Sequence, residues 1–105
     1  MVTELTILER LLLLNILPPT GDLVTIKIVR HLRESLSFTE QEIEERQIVQ
    51  HEGGNVTWVE GEPKAFELGA KAIETVLNVL KKLDKDNKVE EKHLSLFAKF
   101  GLLED

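Results

Sequence analysis

Apolar and polar positions keep a period near 3.6 from Phe66 to Leu83, where Phe66, Ala70, Ile73, Leu77 and Leu80 recur at alternating steps of four and three. Val76 and Leu83 widen the stripe, and Glu67, Lys71, Glu74, Asn78 and Lys81 fill the opposite face. That spacing predicts an amphipathic helix over 66–83 lying on a core. An apolar stripe can also line a cofactor, but core packing is the plainer reading.

Upstream, Thr6-Ile7-Leu8-Glu9 has the spacing of a capping box, with Thr3 as an alternative start one turn earlier. Pro18 and Pro19 stop this helix, because Pro18 disfavours helical geometry at Leu17. On a helical wheel Thr6, Glu9 and Arg10 share the face expected to be wet, and Leu13 falls among them. Leu13 is therefore expected under another helix or at a partner contact. A helix apolar nearly all round has to be enclosed, so self-association as a homodimer through Leu13 is a further expectation.

Asp22 supplies negative charge at the start of a second helix through Leu36, with Val24, Ile28, Leu32 and Leu36 inward and Val29 beside them. The alternation in Val24-Thr25-Ile26-Lys27-Ile28 also allows a strand over 23–28, although length favours helix. Thr39-Glu40-Gln41-Glu42 is a second capping box, opening a short helix to about Arg46. Residues 47–51 and 56–59 flank Glu52-Gly53-Gly54-Asn55 and read as a β-hairpin, which needs support from a helix. Trp58, the only tryptophan, is expected to supply that contact or to anchor a partner. Glu90 to Phe100 makes the last helix, with Leu94, Phe97 and Phe100 inward and Gly101 as its stop. The result is one domain over 1–105 of α+β class, mainly α: four to five helices with a two-stranded hairpin inserted at about 47–59.

Composition narrows the function classes. The absence of cysteine removes disulfides and thiolate chemistry. A net charge of −6 argues against a broad nucleic-acid-binding surface. The start MVTE lacks a secretory pattern, and the longest apolar run, Leu11 to Leu14, is too short for a membrane span, which predicts a soluble cytoplasmic protein that does not engage membranes. The charge is uneven. Residues 34–67 hold nine acids against Arg46 and Lys64, a net of −7. Glu40, Glu42, Glu44 and Glu45 form its densest part, either a solvated face or a surface that docks on a basic groove by mimicking phosphate charge.

Candidate chemistry is sparse. Asp84-Lys85-Asp86-Asn87-Lys88 departs from a calcium loop, with Val89 at the glycine position and Ser95 at the glutamate position. Three widely spaced histidines form no triad or zinc pattern, and His31 has no second ligand at helical spacing. No catalytic residue, cofactor site or metal site is expected, and the chain reads as a non-enzyme. The surface expected to meet a protein partner comprises Leu13, Glu40, Glu42, Glu44, Glu45 and Trp58.

The strings ERLLLLNILP at 9–18, Gly21-Asp22 running into TIKIVR at 25–30, LSFTE at 36–40, Val56-Thr57-Trp58 and KHLSLFAKF at 92–100 carry a resemblance. They resemble small proteins encoded by tailed bacteriophages and prophages of Gram-positive bacteria, from about residue 5 to 100. No activity is attached to that group, and the resemblance transfers no functional residue. It implies the cytoplasm of an infected bacterium and an accessory, host-directed role. A virion component that self-associates and a small enzyme are the alternatives.

Overall fold

The structure, a computed structural model, describes residues 2–103. Strand β1 (Val2–Leu5) leads into α1 (Ile7–Ile16), followed by α2 (Leu23–Leu36), α3 (Glu40–Glu45), β2 (Val49–Gln50), β3 (Val56–Thr57), β4 (Lys64–Glu67) and α4 (Ala70–Lys85). A single 3-10 turn (Glu91–His93) then runs into α5 (Leu94–Lys99). Among the described residues this is an α+β architecture, mainly helical, and 23–28 is helix.

Local chemistry fixes most helix ends. Thr6 Oγ1 accepts from the Glu9 N–H at 3.2 Å while Glu9 accepts from the Thr6 N–H at 2.9 Å, so the first capping box is complete. Thr39 and Glu42 close the second in the same way, at 3.1 Å each. The Asp22 carboxylate accepts from the Thr25 N–H at 2.7 Å. Gly101 stops α5 at φ 73°, with Leu102 N–H returning to the Phe97 carbonyl at 2.8 Å. Asn87 and Gln47 take the same left-handed turn after α4 and α3, at φ 57° and 51°.

One expectation is corrected at strand level. Residues 64–67 are a strand rather than the first turn of the long helix, and α4 begins only at Ala70 after Gly69. β4 pairs antiparallel with β1, Thr3 facing Phe66 and Leu5 facing Lys64. Phe66 is buried opposite Thr3 because the pleat turns it inward, as it does Leu68 two residues on. The helical stripe consequently centres on Val76 and Leu80, both fully buried, with Ile73, Leu77 and Leu83 at its margins.

The core joins these to Leu5, Leu12, Leu13 and Leu17, to Val29, Leu32 and Leu36 from α2, and to Leu96, Phe97 and Phe100. Val24 is exposed because the buried line of α2 runs through Val29, Leu32 and Leu36 instead. In the last helix Leu96 takes the inward place expected of Leu94, which is exposed, since the 3-10 turn shifts the phase.

α1 sits inside out relative to its wheel. Glu9, Arg10, Leu12 and Leu13 are its buried residues, while Leu8 is exposed and Leu11, Leu14 and Ile16 are half-buried. Leu13, at 1% exposure, lies in the core and cannot be a surface contact. Polar residues face inward here because each charge meets a partner: Lys99 Nζ reaches Glu9 Oε1 at 2.6 Å and also the Glu4 carbonyl at 2.6 Å. Burial works to raise the Glu9 carboxyl, but hydrogen bonds from Lys99, the Thr6 backbone and Ser95 outweigh it and leave it below the usual range.

Candidate functional site

Between α2 and β4 the chain leaves the core. Residues 37–63, all described, form an arm of α3 and the hairpin in which none is buried. The arm holds seven acids (Glu40, Glu42, Glu44, Glu45, Glu52, Glu60 and Glu62) against Arg46, a net of −6. The rest of the chain holds twelve acids and twelve bases, so the arm carries the whole net charge of the protein.

One buried guanidinium fastens the arm. Arg10, 2% exposed, donates from Nε to the Leu36 carbonyl at 3.1 Å and from Nη2 to the Ser37 carbonyl at 2.9 Å. These carbonyls close α2, so the cation both satisfies orphan acceptors and meets the negative end of the helix dipole. Nη1 reaches Glu42 Oε2 at 2.5 Å and Nη2 reaches Glu42 Oε1 at 3.3 Å, a two-pronged ion pair across 32 residues. The rings of Phe38 and Phe66 lie 4.1 and 5.1 Å from the guanidinium carbon and exclude water from its faces. Lys64 Nζ adds a contact to Glu42 Oε1 at 3.6 Å. The Arg10 hydrogen bond, against partial desolvation and with help from the Thr39 N–H and the two cations, lowers the Glu42 carboxyl to about 2.

Glu42 is therefore an internal tie, not part of the solvated face expected of it. Its neighbours differ: Glu40, Glu44 and Glu45 are exposed. The signal in the sequence for this tie is slight: Arg10 stands beside Glu9 at the head of the run Leu11 to Leu14, in a helix otherwise almost wholly apolar.

A cleft of about 500 Å³ opens where the arm meets Leu5 and Ile7. Its charges cancel, Arg10, Arg46 and Lys64 facing Glu42, Glu45 and Glu62, so it offers no net attraction to an anion or a cation. Arg46 crosses the base of the hairpin over Gly61. A Cβ there would lie 1.0 Å from Arg46 Nη1, so the guanidinium occupies space that Gly61 leaves open, and a side chain at 61 would displace it.

Comparison with protein-family models, curated proteins and solved structures returns no match.

α3 and the hairpin bring Glu40, Glu44, Glu45 and Trp58 into one arm, and Leu13 is not among them. Trp58 is half-buried and stands outside the core, its indole N–H donating to Glu60 at 2.9 Å. The histidines occupy three separate places. His31 lies exposed on α2, His51 meets Thr57 in the hairpin, and His93 is buried, accepting the Glu90 N–H at Nδ1. No cluster of three metal-ligating side chains occurs among the described residues, and none of their helices is long and apolar enough to cross a membrane.

Proposed function

We propose that this chain is a non-enzymatic, phage-type accessory protein that binds a basic surface on a host or phage protein, in the bacterial cytoplasm, through its acidic arm. The observation that carries the reading is the coincidence of two properties in residues 37–63: the entire net charge of −6 and the absence of any buried residue. A strongly acidic appendage that adds no buried residue to the core, yet is held in a fixed place by a buried arginine, is suited to presenting its surface to a partner. Binding of this kind is steered by charge and weakens with salt.

The test is affinity capture from bacterial lysate, followed by titration of the identified partner against the parent and a Glu40→Lys, Glu44→Lys, Glu45→Lys variant. Glu42 stays intact because its loss would release the arm. The expected result is a loss of roughly tenfold or more at low salt, shrinking at physiological salt. Equal affinities, with no salt dependence in the parent, would remove the arm from the interaction.

A further inference from the structure

The pleat of the hairpin sorts its side chains into two unlike faces. The register pairs Val49 with Thr57 and Gln50 with Val56, which sends Val49, His51, Thr57 and Val59 to one side and Ile48, Gln50, Val56 and Trp58, of which only Gln50 is exposed, to the other. Ile48, Val56 and Trp58 are half-buried, so their face is turned to the protein. The opposite face is open: Val49 and Val59 are 47% and 48% exposed, and His51 Nε2 meets Thr57 Oγ1 at 2.7 Å across it. Its strands are two residues long and two in number, a sheet too small to be stable without further cover.

Charge selects what could supply that cover. Of the seven carboxylates in the arm, only Glu42 is in an ion pair among the described residues. A second copy would bring the same net −6 against this face, and anionic lipid or nucleic acid would bring phosphates. A basic polypeptide satisfies both halves of the surface. We infer that the outer face of β2 and β3 is a docking surface for an extended basic segment in which β-branched residues alternate with lysine or arginine. Its apolar side chains cover Val49 and Val59, and its positive charge complements the net −6 of the arm as a whole. The inference rests on the reading above that the arm is the binding element, and adds the face and the chemistry of the bound segment.

Trp58, the single tryptophan, lies in the same hairpin and makes fluorescence a local reporter. Full-length protein is titrated with a synthetic peptide alternating valine and lysine, and with its valine–glutamate counterpart. The lysine peptide is expected to bind and to weaken with salt, and the glutamate peptide to leave the signal unchanged. Val49→Ser with Val59→Ser should weaken binding roughly tenfold or more. Thr57→Lys, which keeps both valines, should weaken it as well by placing a like charge on the face. Circular dichroism and thermal midpoints matching the parent establish that each variant is folded. Binding unaffected by both variants but lost in the Glu40, Glu44, Glu45 reversal overturns the face and leaves the acidic arm standing. No binding of the lysine peptide at low salt overturns the inference, while the arm is judged separately by the titration with its captured partner. Self-association abolished by the serine changes would assign the face to a second copy and overturn it too.

Discussion

The body and the arm of this protein are stabilised by different physics. The body buries fourteen apolar side chains from both ends of the chain and is electrically neutral. The arm buries none, is strongly acidic, and owes its position to Arg10, to its capping box and to the crossing of Arg46 over Gly61. Apolar burial is non-directional and tolerates repacking, whereas an ion pair is lost when one partner goes. Cohesion of the body is thus spread over many residues, and attachment of the arm rests on a few polar contacts centred on Arg10.

The sharpest way to break this contrast is Arg10→Ala. It leaves Glu42 and two helix-terminal carbonyls without their cation and should cost about 3–5 kcal/mol. Hydrogen exchange should show faster opening across residues 37–63 than in α2 and α4. Uniform exchange changes over the whole chain would mean that arm and body are one cooperative unit.

Next come matched deletions in the two regions. Leu80→Ala removes a fully buried side chain and should cost about 2–5 kcal/mol. Val49→Ala, on the open hairpin face, should cost about 0.5 kcal/mol or less. Ile73→Ala and Leu77→Ala, at the margin of the stripe, should fall between them. Chemical denaturation of the four variants gives the ranking, and a Val49 effect as large as that of Leu80 would erase the distinction.

Acid release of the arm tests the same ion pair from the side of Glu42, with a smaller effect than loss of Arg10. The Glu42 carboxyl lies at about 2 against an ordinary 4.5, so its folded value is depressed. The stability it contributes is complete above about pH 4.5 and is lost as pH falls towards 2. With a fifth of the side chain in solvent, the contribution is on the order of 2 kcal/mol after screening. Parent and Glu42→Gln should therefore differ at pH 6 and converge near pH 2. Parallel stability curves over that range would show that Arg10 does not need the carboxylate charge.

What was legible in the sequence was local. Thr6 with Glu9, Thr39 with Glu42, Asp22 and Gly101 each act within five residues, and each ends a helix where its spacing predicts. The hairpin turn belongs to the same class, with Gly53 and Gly54 both at positive φ. What escaped was long-range pairing. β4 has its partner at Val2–Leu5, so Phe66 fitted a helical stripe and a strand alternation equally well. Arg10 finds its acceptors 26, 27 and 32 residues away, and the wheel, which scores polarity and not partnership, turned α1 the wrong way round. The candidate site was therefore half visible: its acidity was plain, but the distinction between Glu42 and its neighbours depends on Arg10.

The double contact of Lys99 with Glu4 and Glu9, spanning 95 and 90 residues, also bears on the order in which the protein matures during synthesis. β1 emerges before β4, the strand it pairs with, and the buried Glu9 waits for Lys99, 90 residues further along the chain. Elements of α3 and the hairpin close through short-range bonds such as Ile48 N–H to the Ile43 carbonyl and His51 N–H to the Asn55 carbonyl. On the ribosome these local turns can form while the body still lacks its final helix. The turns that shape the surface proposed for recognition then form early, and the tie to Arg10 and the completed body fix them in place.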